Sequence, residues 1–215
     1  MKNLALIVRN EFANFKGNDP GFFAVYGIIV LIYSAVFTSN ALQGGGEQSI
    51  LWWIFFSVVA TGSFLGSVFI VERLKGSFEI LLTCGLARHS ILLGKILYIV
   101  IMSLFMGLCP FALSLLWTAL LDRSALTINW TGPILFVGAS FMNATCASWL
   151  TLRLGNPRLV HFVNLLMLTF VVTVFYLFLL NVFVLFGVMI LIGILFLFLG
   201  FRAFESEKII QPINW

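Results

Sequence analysis

Charge is what this chain has least of: 9% of its 215 residues are Asp, Glu, Lys or Arg, against about 25% in ordinary soluble domains. With 61% hydrophobic residues and 24 Phe, a water-soluble fold would lack the polar surface needed to cover itself. Histidine and cysteine are sparse as well. His89 and His161 do not form a chelating set. Cys84, Cys109 and Cys146 show neither a paired framework nor a metal-binding spacing, which leaves structural thiols. No glycine-rich phosphate loop of the G-x-x-x-x-G-K-[ST] kind occurs, so the chain by itself lacks the standard cradle for ATP hydrolysis. The period-two alternation of a membrane barrel is also missing. Lys2, Arg9, Glu11, Lys16 and Asp19 interrupt the first twenty residues, so no cleavable signal peptide is expected.

What remains is a set of long apolar runs. Mean hydropathy is +1.11, and runs near twenty residues match a hydrocarbon layer roughly 30 Å thick at about 1.5 Å rise per residue. Lipid cannot satisfy backbone polar groups, so each run is expected to be a helix. The fold class that follows is an all-α polytopic membrane protein. Six spans are expected, over about 21–39, 51–71, 96–121, 131–152, 161–180 and 182–201. Residues 1–20 precede them as a cytoplasmic interfacial helix, and 202–215 follow as a cytoplasmic tail. The third span is longer than a bilayer needs, and Pro110 would kink it or let it tilt. The apolar run from Phe162 to Phe201 would reach about 60 Å as one helix, twice the hydrocarbon thickness. A hairpin near Asn181 resolves this, with Gly187 as the alternative turning point.

Sidedness follows from the basic residues. With the N-terminus inside, the inner segments carry Lys2, Arg9, Lys16, Arg73, Lys75, Arg88, Lys95, Arg153, Arg158, Arg202 and Lys208, eleven of the twelve. Arg123 alone falls outside. Such a bias places both termini in the cytoplasm of a cell membrane, inner or plasma. The net charge of +4 is therefore read as topology, and no nucleic-acid partner is expected. Leu4, Ile7, Val8, Phe12 and Phe15 recur close to the helical period, with charges and Asn between them, as in a helix lying in the membrane interface. Membrane lipids are expected partners, and Arg153, Arg158 and His161 would meet either a cytoplasmic partner subunit or anionic head groups at the inner face.

The densest charge lies in Glu72–Lys95, ERLKGSFEILLTCGLARHSILLGK, which interrupts the apolar pattern between the second and third spans. Phe78, Leu81 and Leu82 fall on related faces of one possible helix, which leaves either a docking surface or a solvated loop. The order Glu72-Arg73, Gly76-Ser77-Phe78-Glu79, Leu81-Leu82, Arg88 and Gly94-Lys95 resembles the corresponding region of ABC-2 type transporter permeases. There a Glu-Arg pair precedes a Gly-(Thr/Ser)-x-Glu turn and a Leu-Leu segment, and Gly-Lys marks where the third span begins. Haem-exporter-like membrane subunits are a related resemblance, with similar size and loop position.

The resemblance implies that Glu72, Arg73, Gly76, Phe78, Glu79, Leu81, Leu82 and Arg88 form a coupling helix seated in a cytoplasmic ABC ATPase subunit. It implies a second permease subunit, most simply an identical copy. ATP and Mg would be bound in the partner ATPases, with no cofactor, metal or catalytic residue in this chain. The family's short re-entrant helices between spans five and six have almost no counterpart around Asn181. Gly62 and Gly66, a small-xxx-small pair, and the stripe containing Gly138, Ser140 and Asn143 suit close helix packing or the lining of a path. Asn143, Asn164 and Thr169 are polar at membrane depth, while acids, Lys and Arg are absent from the expected hydrocarbon centre. That favours an external energy source and an amphipathic or lipid-like cargo. A nonenzymatic scaffold or assembly factor, and a secondary transporter or channel, are the other function classes open at this point.

Overall fold

The computed structural model describes residues 2–18, 20–42, 47–70, 87–121, 130–154, 156–177 and 181–204. Among these the protein is all-helical. The elements are α1 (Lys2–Asn18), α2 (Pro20–Leu42), α3 (Glu47–Leu65) running into a π-helical turn (Gly66–Ile70), α4 (Arg88–Leu121), α5 (Thr131–Arg153), α6 (Pro157–Leu177) and α7 (Val182–Phe204). Among the described residues, four stretches are long and apolar enough to cross a membrane: Ala24–Leu42, Arg88–Leu121, Thr131–Arg153 and Val182–Phe204. Ile50–Leu65 and Arg158–Val174 are shorter apolar helices.

Helix starts follow local chemistry. Pro20 and Pro157 each occupy a first helical position, where no backbone N–H is needed. Asn156 caps α6 by accepting the Arg158 N–H at 3.0 Å. Asn181 does the same for α7, its Oδ1 accepting the Phe183 N–H at 3.1 Å while its carbonyl accepts from Val184 and Leu185. The forty-residue apolar run is thus divided into two helices, with Gly187 inside the second. Helix α4 starts earlier than the expected 96, at Arg88, and spans 34 residues with Pro110 inside it.

Helix α5 is the hub, packing on α3, α4, α6 and α7. It plays that part because its side chains are small. Gly132, Gly138, Ala139, Ser140, Ala144 and Ala147 are all buried, and small residues let helix backbones approach closely. Its hydroxyls turn back on their own helix: Ser148 donates to the Ala144 carbonyl at 2.6 Å, and Thr151 to that of Ala147 at 2.7 Å. Against α7 the fit is reciprocal. Gly138 lies under Phe186 and Met189, and Gly193 of α7 lies under Phe141.

Where α2 ends, α3 and α5 begin and α4 ends, aromatic rings fill the core. Phe37 stacks on Trp53 at 4.0 Å, Tyr33 lies 4.2 Å from Phe56, and Phe56 stacks on Phe136 at 5.6 Å. Two glycines make room for this cluster. A side chain at Gly107 would overlap the Phe136 ring, and one at Gly132 the Trp53 indole.

Candidate functional site

At the opposite end, α1 lies across the first turns of α4. Ile7 and Glu11 are four residues apart and so share one face of α1. Both are buried. Ile7 fits over Gly94, where a Cβ would come within 2.8 Å of its Cγ2. Glu11 accepts a hydrogen bond from Lys95 Nζ at 2.6 Å, with the two side chains 7% and 0% exposed. The Phe12 ring meets Tyr98 edge-on at 5.0 Å. Lys95 also reaches the Val68 carbonyl, in the π-helical turn of α3, at 3.4 Å.

A lone ammonium or carboxylate in such surroundings would cost several kcal/mol in lost hydration. Pairing the two offsets part of that cost for each. The ion pair is therefore specific: the α4 position needs a cation because α1 delivers an anion to it.

Other elements converge on this end. His89 packs edge-on against Phe201 of α7 at 5.1 Å, and Leu92 lies close to Gly200. Gly62 of α3 faces the His161 ring of α6. The guanidinium of Arg202 sits over Phe198, 4.9 Å from the ring centre. Arg9, Arg88, Arg153, Arg158 and Arg202 are all exposed, and they lie on α1, at the start of α4, at the end of α5, at the start of α6 and at the end of α7. This is the charged end of the bundle.

Of the residues singled out from sequence, Glu72, Arg73, Gly76, Phe78, Glu79, Leu81 and Leu82 lie outside the described residues. Arg88 is the exposed first residue of α4. Gly66 opens the π-helical turn, with nothing among the described residues near its Cβ position. Asn143 is fully buried and donates to Ser57 Oγ of α3 at 2.8 Å, a cross-link between two apolar helices. Asn164 is buried on α6. The Oδ1 atoms of Asn143 and Asn164, and Ser140 Oγ, have no hydrogen-bond partner among the described residues.

The Glu11–Lys95 pair was not anticipated, although a signal existed. Leu4, Ile7, Val8, Glu11 and Phe15 follow the helical period, so the acid falls inside the apolar stripe rather than beside it. An acid in such a stripe calls for a buried cation.

No family model, curated protein or solved structure matches the chain.

Proposed function

We propose that this chain is the membrane-spanning subunit of an ATP-driven exporter of the ABC-2 type. It would form a translocation path with a second permease subunit, most simply its own copy, and couple to cytoplasmic ATPase subunits that bind ATP and Mg. The six-span arrangement belongs to this proposal. Helix α3 with its π-helical turn has 19 and 5 residues, roughly 35 Å of rise, and the 21 residues of α6 give about 31 Å. Both lengths are compatible with crossing a bilayer. The exposed arginines at one end of the bundle support placing that end, and both termini, in the cytoplasm.

The observation that carries the mechanism is the seating of α4. This helix starts at Arg88, inside the family-like segment, and its first two turns are fixed to α1 through Glu11 and to α3 through the Val68 carbonyl. A displacement of residues 72–88 by a closing ATPase would reach α3 and α4 directly, because the segment is covalently joined to both. Repacking of those helices against α5 would open a path between subunits for an amphipathic, lipid-like cargo. In the assembled complex, Glu79→Lys is expected to lower ATP-dependent cargo movement at least tenfold while the bundle stays folded. Unchanged ATPase binding together with unchanged export would remove Glu79 from the coupling role.

A further inference from the structure

We infer that Lys95 is a three-way junction, a polar latch that makes α1, the π-helical end of α3 and the first turns of α4 move as one body. An ammonium has three N–H donors and no acceptor. One reaches the Glu11 carboxylate at 2.6 Å, and another points to the Val68 carbonyl at 3.4 Å. Val68 belongs to the π-helical turn Gly66–Ile70. The π-helical turn also shifts the hydrogen-bond register at this point, as such turns do at sites of function. Lys95 therefore bridges a buried carboxylate of α1 and a backbone carbonyl of the π-helical turn.

The placement in the chain gives the junction its meaning. Val68 lies just before residues 71–86 and Lys95 shortly after them, so a single side chain ties together the two helices that this segment connects. Glu11 adds α1, and Gly94 and Tyr98 shape the seat on either side through Ile7 and Phe12. A buried ion pair does not stretch gradually. It holds, or it opens and takes up water, and that gives the assembly two discrete arrangements. On the exporter reading, which this last step rests on, the latched body is what a coupling segment would drive.

The test uses the full chain in lipid nanodiscs, with Cys84, Cys109 and Cys146 replaced and no ATPase added. Spin labels go on exposed or open positions: Arg9→Cys with Arg88→Cys (α1–α4), Gly66→Cys with Arg88→Cys (α3–α4), and Leu116→Cys with Phe183→Cys (α4–α7, as control). Lys95→Met is expected to broaden the first two distance distributions at least twofold and leave the control unchanged. The exchange Glu11→Lys with Lys95→Glu restores an ion pair but supplies no donor to the Val68 carbonyl. It is expected to narrow α1–α4 while α3–α4 stays broad.

Unchanged first and second distributions in Lys95→Met would overturn the inference, as would full recovery of both in the exchange. If Lys95→Met also broadens the control, Glu11→Leu/Lys95→Met takes its place, since it removes both members of the Glu11–Lys95 pair. Broad α1–α4 and α3–α4 distances with an intact control then support the latch, and wild-type distances overturn it. Because no ATPase is present, failure of the exporter reading would leave this result standing, and the converse also holds.

Discussion

Lys95→Met is expected to destabilise the folded protein by about 3–5 kcal/mol, the usual cost of leaving one member of a buried ion pair without its partner. The reason is the side chain left behind. Glu11 is 7% exposed, and the packing of Ile7 over Gly94 on the same face holds it in place. Glu11→Leu alone removes the carboxylate from the ammonium instead and is also expected to be destabilising. The double variant Glu11→Leu/Lys95→Met removes both charges and keeps the volume close. Its stability should lie within about 1–2 kcal/mol of wild type, or above it, because apolar replacements of buried pairs are often neutral or stabilising. Equilibrium unfolding in a mild detergent with added lipid would measure all four proteins. Two single-variant losses that simply add in the double would show that the side chains do not depend on each other, contrary to the geometry.

The second large effect concerns the aromatic end. Gly107→Val is expected to cost about 1–3 kcal/mol or more, since overpacking forces side chains and backbone out of position. The place of a Cβ at Gly107 is already taken by the Phe136 ring, and Phe136 is itself held between Phe56 and Trp53. Shrinking the intruded-upon ring should relieve the clash. Gly107→Val/Phe136→Leu is therefore expected to be less destabilised than the sum of its singles, with a coupling of about 0.5–3 kcal/mol. Strict additivity in the same unfolding assay would mean that the two helices do not meet at this point.

The helices were legible because lipid leaves the chain few options: apolar runs of the right length must close their hydrogen bonds within themselves. The division of the last run near Asn181 was legible from length alone, and the Asn181 cap is the local chemistry that accomplishes it. The start of α4 was not. Arg88, His89 and Lys95 read as part of the charged interruption before a span beginning near 96, whereas they occupy the first two turns of the spanning helix. Its one fully buried charge is neutralised by a residue 84 positions earlier.

Pairing at that separation is a tertiary fact, and helical periodicity reveals only which face is apolar. The same limit applies to α5. Its small residues announced close packing, but periodicity cannot name Phe186 and Met189 as the side chains over Gly138. Asn143 stood out as polar at membrane depth, and Ser57 became visible as its partner only once α3 lay alongside.

The central claim is that this chain works as the membrane part of an ATP-driven complex. The measurement that tests it most directly is isolation of the intact chain from its native membrane in mild detergent, with crosslinking through Lys75 and mass spectrometry of the joined peptides. The account predicts a stoichiometric ATPase subunit carrying a phosphate-binding loop, crosslinked within residues 72–95. A preparation whose native oligomer survives, yet holds no ATPase at that segment, would contradict it.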